Sequence, residues 1–191
     1  MTRDQASPPE FFRPVAADRV GRDGLGLAIE ANAEERAALA RRFGLVSLDA
    51  LSAQCRLRLV AGGMIELTAS FDAQVVQECV VTLEPVPAAV HGTFDQRYAL
   101  SPAVLRSFAV ADDEEFDPDA DDPPEALQEG AIDLGEAIAQ HLSVTLDPYP
   151  RAPGVNFVAI AEEEGDATQK RREQDLVERP NPFATLAKLK K

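Results

Sequence analysis

The residues predict an α+β fold: a mostly antiparallel meander sheet, or a partial barrel, with two or three peripheral helices. Three observations carry that expectation. Apolar and polar residues alternate from Leu51 to Leu59 and again from Ile65 to Ala73. Two stretches, one after Asn32 and one after Asp133, have helical spacing behind a capping residue. The strand-like segments follow one another over short turns, as in a meander.

Residues 1–10 are polar, carry paired prolines and are expected to be a flexible N-terminus. The stretch Phe11–Ala17, FFRPVAA, starts the first strand, and Pro14 marks it as an edge or a bent start. LAIEA, Leu27 to Ala31, reads as a second short strand. Asn32 then caps a helix, and Glu35 sits three residues on, where a capping box needs it. Glu34 and Glu35 lie at the positive end of that helix, Arg41 and Arg42 at the negative end, and Gly44 stops it. Leu39 and Phe43 share its buried face.

The middle of the chain is β. Leu51, Ala53, Cys55, Leu57 and Leu59 point one way, as do Ile65, Leu67, Ala69, Phe71 and Ala73. Ala61, Gly62 and Gly63 supply the turn of a long hairpin, with Arg56 and Arg58 set to face Glu66 or Asp72 across the strands. A third strand is expected through Val80 and Leu83, after a bulge at Val75–Val76 and before a stop at Pro85 and Pro87. A fourth, Ala89–Leu100, places Val90, Phe94, Tyr98 and Leu100 on one face, interrupted by Gln96. Residues 110–126 form an acidic, proline-rich loop with too few apolar groups to build a core. A second helix follows Asp133, with Glu136 as its capping partner and Leu134, Ala137, Ile138, His141 and Leu142 on one face. Pro148, Pro150 and Pro153 end it, and VNFVAI, 155–160, adds one more strand. The expected organisation is one domain over 11–161, then a charged linker and a short basic helix over 162–191. In that helix Asn181 is the N-cap, Pro182 takes the first position, and Phe183, Leu186 and Leu189 bury.

The chain has 191 residues, 45% of them hydrophobic, and a net charge of −14. That suffices for a core without disulfides or metal. Two cysteines make no disulfide framework and point to a reducing compartment. No apolar run approaches the ~20 residues of a membrane span. The N-terminal MTRDQASPPEFF lacks the apolar segment of a secretory signal, so a cytoplasmic location is expected. The charge is uneven. Residues 112–125 read DDEEFDPDADDPPE, whereas 168–191 carry a local excess of +4. A negative body disfavours a nucleic-acid binder and favours basic partners.

Catalytic and metal signatures are missing. There is no GxSxG, P-loop, GxGxxG or HExxH pattern. A Cys–His dyad would have to join Cys79 with His91 or Cys55 with His141. Cys79 has no second cysteine at the spacing zinc prefers, and the acids of 112–125 lack calcium-loop spacing. No catalytic residue, metal ligand, cofactor or small-molecule substrate is therefore expected.

One set of segments is informative together: CVVTLEPVPAAV from Cys79, the acidic break, IDLGEAIAQHLSVTLDPYPRAPG from Ile132, and NPFATLAKLK from Asn181. In these the chain resembles the YceD family of large ribosomal RNA subunit accumulation proteins. The resemblance runs from about Phe11 to the end and is firm over 79–101, 130–154 and the terminus. Its motif positions here are Cys79, Leu83, Pro85, Asp133, Leu134, Pro148, Pro150, Asn181, Pro182 and Phe183. It implies a small bacterial or chloroplast protein that supports normal levels of 23S rRNA and has no established catalytic activity. Many members carry Cys-x-x-Cys where this chain has Cys79 and Thr82, which removes a metal knuckle here and leaves Cys79, Val81 and Leu83 on one face of the third strand.

The resemblance implies a non-enzymatic factor for large-subunit assembly that binds a basic ribosomal protein or a 23S rRNA precursor. Asp112, Asp113, Glu114, Glu115, Asp121 and Asp122 would meet a basic protein. Lys170, Arg171, Arg172 and Lys188 would meet phosphate. Direct RNA binding through that tail and the Arg56/Arg58 face is the alternative, and a metal-dependent RNA-processing enzyme a more distant one.

Overall fold

The alternation in the sequence becomes the sheet. In the computed structural model, which describes residues 9–108 and 122–155, β3 (Ser47–Val60) and β4 (Met64–Glu78) form one long antiparallel hairpin. Gly62 and Gly63 turn it with φ of 81° and 72°, a left-handed geometry that glycine adopts without a Cβ penalty. Leu57 lies across from Leu67 and Ala53 from Phe71, so the apolar sets of both strands fall on one face. β2 (Leu25–Glu30) pairs with β3, and β5 (Pro85–Ala99) pairs with β4, all antiparallel. A two-residue strand, β6 (Glu125–Ala126), lies parallel to Tyr98 and Ala99 at the close of the acidic stretch. The order is β2-β3-β4-β5-β6, an open sheet rather than a barrel.

Two local expectations fail. No third strand runs through Val80 and Leu83: β4 continues without a break through Val75 and Val76 to Glu78, and residues 79–84 make the turn into β5. Pro85 and Pro87 accordingly belong to β5 instead of ending a strand. They are tolerated because only β4 pairs with that end of β5, so a missing N–H breaks no second ladder. The irregularity sits in the facing strand, between Leu48 and Ala50, where Asp49 is the extra residue and lets Leu48 meet Val75 inside.

One face of the sheet is core and the other meets water. Leu51, Leu57, Ile65, Leu67, Phe71 and Val75 are almost wholly buried, and each such side chain contributes roughly 1.5–3 kcal/mol by leaving water. The helices cover this face. α1 (Ala33–Phe43) forms as its caps require: Asn32 accepts from Glu34 and Glu35 N–H at 2.9 and 3.0 Å, and Glu35 returns a bond to Asn32 N–H at 2.8 Å. Gly44 ends it at φ 66°. Leu39 is buried and Phe43 packs at the rim. α3 (Leu134–Thr145) buries Leu134, Ala137, Ile138, Ala139 and Leu142. His141 lies flat against Phe94 of β5, ring centres 3.5 Å apart. Burial there lowers its pKa. A short helix, α2 (Pro102–Ser107), follows β5 and has no counterpart in the sequence reading.

Asp133 caps α3 through Gly135 N–H at 3.0 Å, but Glu136 does not close a capping box. Its carboxylate instead grips Arg42 of α1 at 2.7 and 2.8 Å, joining the two helices; the pair lowers the Glu136 pKa and raises that of Arg42. β1 (Pro14–Ala16) and β7 (Ala131–Asp133) form a separate two-stranded sheet. Arg13, just before β1, ties these parts together. Its N–H donates to Asp133 at 2.8 Å, and its guanidinium holds Glu35 at 2.7 and 2.9 Å and the Glu30 carbonyl at 3.0 Å.

Gly135 is the tightest point of that junction, because a Cβ there would land on the Phe11 carbonyl. Gly→Ala inside a helix ordinarily gains up to ~1 kcal/mol. Gly135→Ala should instead destabilise by about 2 kcal/mol or more, read from urea unfolding, since backbone must move.

Candidate functional site

Two segments some seventy residues apart in sequence meet at the end of the sheet where β4 turns into β5. The first is the turn Cys79–Glu84. Cys79 N–H donates to the Glu84 carbonyl at 2.8 Å, and Leu83 N–H donates to the Cys79 carbonyl at 2.9 Å. This geometry drives Leu83 to φ 62°, an uncommon backbone state for a residue with a branched side chain. The second segment is the loop after α3, from Leu146 to Val155. Pro148 and Pro150 prevent the helix from continuing, and the chain bends at Pro148 and Tyr149, where Tyr149 N–H donates to Asp147 Oδ1 at 2.8 Å.

Two hydrogen bonds join the segments and a third reaches the loop from the end of β4. Val80 N–H donates to the Pro150 carbonyl at 2.9 Å, Gln77 Nε2 to the Asp147 carbonyl at 2.9 Å, and Ala152 N–H to Cys79 Sγ at 3.4 Å. The sulfur also accepts Thr82 N–H at 3.4 Å. Cys79 thus anchors both its own turn and the distant loop. The two loops shut its sulfur off from solvent without sinking it deep among packed atoms. The Thr82 hydroxyl, with the Ala152 and Thr82 N–H groups, favours the thiolate, and the pKa falls to about 7, burial opposing only weakly. Cys55, inside the sheet, behaves oppositely: burial pushes its thiol up to about 11.

The junction brings together Cys79, Leu83, Pro85, Pro148 and Pro150 of the motif residues. It does not include Asp133 and Leu134. Those sit at the opposite end of α3, where Asp133 serves as N-cap and Leu134 is core. Of the residues expected to meet a partner, Asp122 is exposed, and its carbonyl accepts from Arg97 at 3.0 Å. Asp112, Asp113, Glu114, Glu115, Asp121, Lys170, Arg171, Arg172, Lys188, Asn181, Pro182 and Phe183 lie outside the described residues, as do the expected strand through 160 and the C-terminal helix.

Neither Cys–His dyad forms among the described residues: His91 pairs with Asp72 on the outer face of the sheet, and His141 stacks on Phe94. Among those residues no group of three or more His, Cys, Asp or Glu is placed to hold a metal ion, and no helix is long and apolar enough to cross a membrane. The outer face is not a cationic surface. Arg58 is paired with Glu66 at 2.8 Å, as the register allows, while Arg56 faces Thr68, and Asp72 and Asp95 share the same face. The site exposes three large apolar side chains, Val80, Leu83 and Tyr149, at 47%, 68% and 69%, beside the exposed polar groups Thr82, Glu84, Asp147 and Arg151. The sequence hinted at the turn through Cys79 and Thr82, spaced so that a sulfur can accept the N–H three residues on. Nothing local signalled the bonds from Ala152 and Gln77.

Because the folded thiol has the lower pKa, Cys79 contributes stability that is present above the unfolded value near 9 and lost as pH falls through about 7. The unfolding free energy of the protein minus that of Cys79→Ala should rise between pH 6 and pH 9.5. The thiolate absorbance should titrate near 7, and Thr82→Val should move that midpoint upward; a midpoint unmoved by Thr82→Val would contradict the assignment of the Thr82 hydroxyl.

A family model described as "Large ribosomal RNA subunit accumulation protein YceD" matches residues 67–190. No curated protein and no solved structure matches the chain.

Proposed function

The chain belongs to the YceD family of large ribosomal RNA subunit accumulation proteins, and from that membership we propose that it is a non-enzymatic assembly factor that holds a component of the large ribosomal subunit. The observation that carries this reading is the junction at Cys79. Two of the family-motif segments converge there on a braced surface that presents apolar side chains, with its one thiol enclosed. Such a surface suits adhesion better than bond-making, which needs a reactive group within reach of a substrate.

The component is a basic ribosomal protein, met by a body whose charge is −14 over the whole chain. Acidic residues 112–122 would steer it, and the cytoplasm is where the two would meet. Direct contact with a 23S rRNA precursor through Arg56 and Arg58 is less well supported, because Glu66 neutralises Arg58 and two further carboxylates share the face.

Removing the gene should lower 23S relative to 16S rRNA. The tagged full chain, captured at low salt, should carry large-subunit ribosomal protein, and that capture should weaken as salt screens the charges. Capture of no large-subunit component above an untagged control would sink the proposal. Cleavage of a 23S precursor by the purified protein would do the same.

A further inference from the structure

The apolar ridge at the Cys79 junction has a feature that adhesion to solvent does not explain. Leu83 is held left-handed and left in water, two unfavourable conditions at one residue. Val80 and Tyr149 lie on the two segments that the Val80–Pro150 hydrogen bond draws together. Around them, among the described residues, Glu78, Glu84 and Asp147 are exposed, with Arg151 as the cation on the same loop. The ridge therefore matches a short segment with large apolar side chains on one side and positive charge on the other.

The chain itself contains one. Phe183, Leu186 and Leu189 recur every three residues, interleaved and followed by Lys188, Lys190 and Lys191. A segment this short is too weak a helix former to stand alone and requires a surface to pack on. The described chain ends at Val155, on the loop that carries Tyr149. The residues from 156 to 182 then provide, even at the ~1.5 Å per residue of a helix, ample length to return to the ridge.

We propose that residues 181–191 dock in cis on the ridge formed by Val80, Leu83 and Tyr149. Phe183 and Leu186 cover these side chains, and the lysines face Glu78, Glu84 and Asp147. Docking in cis makes the ridge and the basic tail mutually masking. A partner that takes either one releases the other.

The test uses the full chain with a benzophenone amino acid in place of Phe183, prepared both unlabelled and nitrogen-15-labelled. The two are mixed, illuminated and digested for mass spectrometry. The expected products join position 183 to residues 80–84 or 147–151 within chains of a single isotope. Leu83→Asp in the same chain should cut their yield about fivefold or more, as loss of a central apolar anchor does. That variant should fold as well as the parent, judged by its urea midpoint, because the site is exposed and Asp adopts the left-handed state more readily than Leu. Products joining chains of different isotope would assign the ridge to a second copy and overturn the proposal. So would products on another surface, the absence of products, or a yield that Leu83→Asp leaves unchanged. This outcome is independent of whether the tagged chain captures a ribosomal component.

Discussion

Everything in this protein hangs on a sheet with one wet face and one dry face. β3 and β4 keep strict period-two alternation over most of their length, so a slip of one residue would move Leu57, Leu67 and Phe71 into water and Arg56, Arg58 and Asp72 into the core. That penalty pins the register. The register in turn decides where β4 ends, and the end of β4 decides where Cys79 sits. The bulge at Asp49 serves the same constraint, resetting the phase so that Leu48 still lands inside.

The helices close the dry face through polar contacts at their ends rather than through apolar packing alone. Arg42 and Glu136 bind α1 to α3, and Arg13 binds the start of β1 to the caps of both helices through Glu35 and Asp133. These charges are partly exposed, so their net energies are modest; their effect is to set geometry. With the N-terminal end of α3 held there, its C-terminal end is directed to the β4–β5 turn, and the loop that follows can meet Cys79. Among the described residues, Gln96 Oε1 is poorly served in this arrangement: it is buried on the dry face with no hydrogen-bond partner there.

The cysteine has an organising role with no second cysteine three residues on. Its sulfur gathers N–H groups from two segments, Thr82 of its own turn and Ala152 of the distant loop. Thr82 contributes to the turn through its N–H to the sulfur. The turn also places the apolar ridge on a rigid support, since Leu83 cannot relax from its left-handed state while the turn is braced at both ends.

By itself the sequence determined the hairpin, both caps of α1, the start of α3, the antiparallel α+β class and the uneven charge. Each of these rests on interactions between residues near in sequence or on a period that a face must keep. The tertiary structure alone decided that Cys79 to Glu84 is a turn. Cys79, Val81 and Leu83 alternate, but five residues carry too little periodicity to separate a strand from a bend, and the bonds that brace the turn against the rest of the molecule involve Pro150 and Ala152. The same holds for Glu136, whose place in the sequence suits a capping box but whose carboxylate is taken by Arg42 nearly a hundred residues away. Long-range hydrogen bonds of charged or polarised groups outcompete local ones when packing brings the partner within reach, and no local pattern records that distance.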